Sequence, residues 1–115
     1  MPEFKVVVSD PKTGTAKQVE VKGPQANAFL GLKIGDIIDG GLVGMPGVKL
    51  KITGGSGRAG EPMRPDLQGG GKRRLLLSGP PGFHPPSKGM RKRKLVRGNV
   101  ITEDIVQINT KILHE

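Results

Sequence analysis

Nine lysines and arginines lie between Leu67 and Thr102 with no aspartate or glutamate among them: Lys72, Arg73, Arg74, Lys88, Arg91, Lys92, Arg93, Lys94 and Arg97. The chemistry open to such a set is the gripping of phosphate. Arginine offers a planar fork that takes two oxygens at once, and lysine a mobile point charge. Outside this block ten basic residues meet ten acidic ones, so the block accounts for the whole formal net charge of +9. Cations this dense repel one another, and a polyanion relieves the repulsion. An ordinary solvated face mixes signs, which this block does not. Nucleic acid is therefore the expected partner, bound by neutralising backbone phosphates and releasing their counterions. The glycines nearby let the chain lie close against a sugar-phosphate backbone.

Other chemistries find little support. Gly55-Ser-Gly-Arg-Ala-Gly60 satisfies G-x-G-x-x-G after a strand-like run. A dinucleotide loop, however, needs a helix directly after it and an acid about 20 residues on. Here Glu61-Pro-Met-Arg-Pro65 follows, Pro65 blocks a helix, and Asp66 is too near. Gly71-Lys72 lacks the remaining residues of a Walker loop. His84 and His114 are isolated, and the absence of cysteine removes disulfides and thiolate metal sites. No Ser/His/Asp set has a local signature. These readings predict no enzymatic activity, no cofactor and no small-molecule substrate.

Tryptophan and tyrosine are absent, and Phe4, Phe29 and Phe83 are too few rings for a base-stacking module. Phosphate contact should dominate, which leaves RNA and DNA both open. Arg91-Lys-Arg-Lys94 also fits a nuclear-import signal. A basic membrane-surface helix does not fit a stretch, 79–99, interrupted throughout by Pro and Gly. No apolar run approaches the roughly 18 residues of a membrane span, and the N-terminus has no signal-peptide pattern. The expectation is no membrane partner and a cytoplasmic protein.

The elements that position the cations follow from patterning. At 115 residues the chain suits one domain, 1–115. Its 31 Leu, Ile, Val and Phe residues exceed the roughly 20% below which a charged chain stays disordered. Its 29 Gly and Pro residues predict a modest core with long loops. Phe4–Ser9 and Ala16–Lys22 read as a hairpin turned at Asp10-Pro11 and Gly14. Gln25–Leu30 reads as one or two helical turns, and Leu32–Asp39 as a strand broken at Gly35-Asp36. Val48–Thr53 alternates cleanly, with Leu50 and Ile52 inward and Lys49 and Lys51 outward. Strands are also predicted over Arg73–Ser78, Lys92–Val96 and within Asn99–Leu113, with basic loops over 54–72 and 79–91. Gly35-Asp-Ile-Ile and Gly98-Asn-Val-Ile look alike, as two halves of a small barrel would. The predicted fold is all-β, a small β-barrel of short strands.

Ile52-Thr-Gly-Gly-Ser-Gly-Arg-Ala-Gly-Glu-Pro-Met63 resembles the signature of the ribosomal protein S-six family of archaea and eukaryotes. That signature reads aliphatic, small, Gly-Gly, any, Asp, any two, Gly, any, Pro-Met, and this chain departs from it only at Gly57, which replaces Asp. Gly71–Ser78, Arg91–Gly98 and Ile101–Asn109 are similar to further segments of the family, so the resemblance covers essentially the whole chain. It implies a structural component of the small (30S) ribosomal subunit that binds ribosomal RNA beside neighbouring ribosomal proteins, through a small barrel and basic extensions. The long, phosphorylated basic tail of eukaryotic members is not carried over, and the short form resembles the archaeal one. At Gly57 a carboxylate available to cap the loop or pair with a nearby cation is missing. The nine cations of the block are the expected RNA contacts, with Arg58 and Arg64 of the signature as secondary ones. The rival is a free-standing RNA- or DNA-binding barrel outside the ribosome.

Overall fold

Glu3–Asp10 (β1) and Thr15–Lys22 (β2) form the expected antiparallel hairpin, closed by Gly14 at φ 70° with its N–H donating to the Asp10 carbonyl at 2.9 Å. The computed structural model describes residues 3–58, 60–77 and 92–113, with backbone alone over 72–77 and 92–94. The loop expected over 79–91, including Lys88 and Arg91, lies outside the described residues. After the hairpin come a short helix Pro24–Asn27 (α1), a strand Ile37–Asp39 (β3), and a 3-10 turn over Gly40–Val43. The strands Lys49–Gly57 (β4), Lys72–Leu77 (β5), Lys92–Arg97 (β6) and Ile105–Leu113 (β7) complete the chain. Five strands in the order β2-β1-β7-β4-β3 make one curled sheet, an open half-barrel, and β5 and β6 make a separate two-stranded ribbon. The fold is mainly β and barrel-like, as the patterning predicts.

Alternation builds the core. Phe4, Val6 and Val8 of β1 point inward, as do Leu50 and Ile52 of β4 and Ile108 of β7. The β1–β7 pairing is parallel and the β4–β7 pairing antiparallel, so β7 is the central strand on which both halves rest. Each such side chain contributes about 1.5–3 kcal/mol by leaving water. Phe4 meets Phe29 edge-on, with centroids 6.1 Å apart. Buried Thr110 satisfies its hydroxyl by donating to the Val7 carbonyl at 2.9 Å.

Three boundaries differ from those predicted. The helical segment is Pro24–Asn27, because the bonds beyond it, such as Leu30 N–H to the Asn27 carbonyl, are single turns ended by Gly31 at φ 86°. Leu32–Asp39 yields only β3 and a bridge from Lys33 to Val100, since Gly35 at φ 99° turns the chain. The segment expected as loop from Gly54 is strand as far as Gly57. There β4 continues past bulges at 52/54 and 56/57, which bend and twist the sheet. The look-alike stretches lie against each other: Ile34 N–H donates to the Asn99 carbonyl and Ile101 N–H to that of Leu32.

Candidate nucleic-acid interface

Six of the expected phosphate contacts sit on the ribbon: Lys72, Arg73 and Arg74 on β5, and Lys92, Arg93 and Lys94 on β6. Both strands have the same plan, cations first and aliphatics after. Run antiparallel, that plan sets unlike residue types opposite each other. Arg73 pairs with Val96, Arg74 with Leu95, Leu75 with Lys94, Leu76 with Arg93 and Leu77 with Lys92. Like charges directly opposed across a ladder destabilise it, and this register avoids them in five of its six pairs. The exception is Lys72 opposite Arg97.

That exception is resolved by burial. Arg97 is a correction to the expected RNA contacts. Its side chain is 3% exposed, and its Nε donates to Glu61 Oε1 at 2.7 Å, with Glu61 itself 1% exposed. One terminal nitrogen donates to the Gly70 carbonyl at 3.3 Å, and the other stands 3.7 Å from Asp104 Oδ2. A guanidinium so enclosed has no path to a phosphate. Around it the ribbon is tied to the sheet: Arg97 N–H donates to the Pro62 carbonyl and Arg64 N–H to that of Arg97.

The secondary candidates separate as well. Arg64 is forked onto Asp66, with Nε to Oδ1 at 2.9 Å and a terminal nitrogen to Oδ2 at 3.1 Å. Those hydrogen bonds hold the Asp66 carboxyl below its ordinary range. Arg58 is exposed in the turn after β4, beside a cleft of mixed sign lined by Glu3, Lys5, Glu20, Lys22 and Glu103. The Gly55–Gly60 segment is no phosphate loop. Its first half is strand, and the chain then doubles back so that Met63 N–H donates to the Gly55 carbonyl.

The sequence model of the family described as Ribosomal protein S6e matches residues 4–115. The chain belongs to that family. It is 59% identical to the small ribosomal subunit protein eS6 of Archaeoglobus fulgidus over 96% of this chain and 87% of the relative. It is 55% identical to the protein of that name from Pyrobaculum islandicum, over 99% and 80% respectively. The relative of the same name from Staphylothermus marinus is 61% identical over 84% of this chain, which is 45% of that longer protein.

The S6e signature segment is the clasp between sheet and ribbon. Its Gly-Gly lets the returning chain lie on β4: a Cβ at Gly55 would meet the Gln107 carbonyl oxygen at 2.5 Å and Met63 Sδ at 2.9 Å. Its Pro-Met supplies the Pro62 carbonyl and the buried Met63. Glu61, Asp104 and the Gly70 carbonyl escaped the sequence reading, which looked for cations and not for what neutralises them. One signal was visible. Glu61 is an acid four places after the position at which the signature's Asp is missing.

Proposed function

We propose that this S6e-family chain is a structural, non-catalytic component of the small ribosomal subunit that holds ribosomal RNA by its backbone phosphates. The observation that supports this most is the β5–β6 ribbon. It gathers six cations on two paired strands without one acid and keeps them from opposing each other. Such a surface is complete only with an anion laid along it. Lys72, Arg73, Arg74, Lys92, Arg93 and Lys94 are the proposed contacts, with Lys88 and Arg91 of the same block and exposed Arg58 beside them. Arg97 acts from inside, and the Arg64 fork is already engaged by Asp66. The proposed partners are the ribosomal RNA of the small subunit and its neighbouring proteins, in the cytoplasm.

Sucrose-gradient sedimentation after a high-salt wash tests the reading. The chain should travel with the small subunit; a free-standing RNA- or DNA-binding barrel would remain near the top and would overturn the assignment.

A further inference from the structure

Gly57 is glycine for want of space. Its φ is not in the positive range that glycine alone tolerates, so the backbone does not demand it. A Cβ at 57 would stand 2.7 Å from Glu61 Cδ, and closer still to Glu61 Oε1 and Arg97 Nε. The volume a side chain at 57 would enter is therefore the one in which the Glu61 carboxylate meets Arg97. The S6e signature carries Asp at 57, and an aspartate there would begin at that same guanidinium.

We infer that Gly57 and Glu61 form one compensated exchange, in which the carboxylate that neutralises buried Arg97 and seats the root of the basic ribbon is supplied from position 61 instead of 57. Burial makes the carboxylate obligatory, because an arginine taken out of water without a partner is strongly destabilising. Asp104 does not suffice: its side chain is 60% exposed and its nearer oxygen is 3.7 Å away, beyond hydrogen-bond reach. Only Glu61 is both buried and bonded. Because Arg97 is also bonded through its own N–H and carbonyl to Pro62 and Arg64, its side chain sets where β6 leaves the sheet. Glu61 is thus a positioning residue for the ribbon, and it touches no RNA itself.

The test is a mutant cycle on the full chain. Glu61→Ala should lower the melting temperature by about 15 °C. Gly57→Asp alone should also lower it, since a second carboxylate is driven into occupied volume. Gly57→Asp with Glu61→Ala should regain at least half of the Glu61→Ala loss. A double variant that melts at or below the less stable single one overturns the exchange. Should Glu61→Ala not fold, isosteric Glu61→Gln replaces it, and a melting point within about 2 °C of the parent overturns the pairing.

The positioning role has its own readout. Filter binding of a small-subunit rRNA transcript across KCl concentrations should give the Gly57→Asp/Glu61→Ala protein the parent's salt slope. Gly57→Ser/Glu61→Ala, which fills the space without a charge, should lower it, and equal slopes for the two overturn the role. This half rests on the proposed RNA binding. If the stability cycle closes while no variant nor the parent holds RNA, that reading fails and the exchange stands.

Discussion

The five-stranded sheet and the β5–β6 ribbon handle cations in different ways. Across the β1–β2 ladder Glu3 faces Lys22 and Lys5 faces Glu20, and across β3–β4 Asp39 faces Lys49. The Lys22 ammonium reaches Glu3 at 3.1 Å, and that hydrogen bond raises its pKa. The sheet thus sets acids against lysines, and its one opposed pair of like charges, Lys51 and Lys111, lies on the side away from the core. The ribbon has no acids to set. It separates its cations with leucine and valine and leaves the charge uncancelled, except at Arg97, where a carboxylate from outside the ribbon is buried against it. Charge on the sheet is internally balanced, whereas charge on the ribbon is reserved for a partner.

The largest test of this difference is Arg97→Ala. If Arg97 belongs with the fold and not with the RNA surface, the change orphans Glu61 and costs about 3–5 kcal/mol in urea unfolding. A loss below about 1 kcal/mol, the value of an exposed pair, would return Arg97 to the ribbon's working cations. Leu50→Ala, a fully buried site in the sheet, should cost about 2–5 kcal/mol while leaving the salt dependence of RNA binding unchanged. A changed slope there would mean that the sheet, and not the ribbon, carries the contacts.

Arg93→Ala sharpens the comparison from the other side. Lying opposite Leu76 with no acid on either strand, Arg93 should add little to folding, within about 0.5 kcal/mol. Its removal should lower the magnitude of the log K versus log salt slope by about one, equally for every RNA sequence. An unchanged slope would remove Arg93 from the interface.

The strands were legible because alternation survives in Phe4-Val6-Val8 and Leu50-Ile52, whatever the loops do. The far half of β4 was not, because Gly54-Gly-Ser-Gly57 has a loop's composition. It is strand only because β7 and the returning Pro62-Met63 segment pair with it. The ribbon's register can be read in retrospect from two strands of the same plan. Arg97 could not be told from its neighbours, since nine cations of one block share composition and context. What separates it is a carboxylate 36 residues away in sequence, brought close only by the fold. The missing Asp at 57 marked the place without naming the substitute.

Arg64 and Asp66 form the exposed counterpart of Arg97 and Glu61, and the smallest predicted effect lies there. Hydrogen bonds from Arg64 hold the Asp66 carboxyl below its ordinary value of 3.8 in the folded chain. A depressed folded-state pKa means that the contribution is fully present above 3.8 and is lost as pH falls from there through the lowered value. The Asp66 side chain is 64% exposed, so solvent screening keeps the worth of the pair under about 1 kcal/mol. Asp66→Asn should therefore melt slightly below the parent at pH 6, and the gap should narrow as the pH is brought well below 3.8. A gap that persists or widens in acid would mean that the carboxylate charge is not what holds Arg64. The asparagine would then be failing by shape alone, and the contrast between exposed and buried arginine pairs would lose its electrostatic basis.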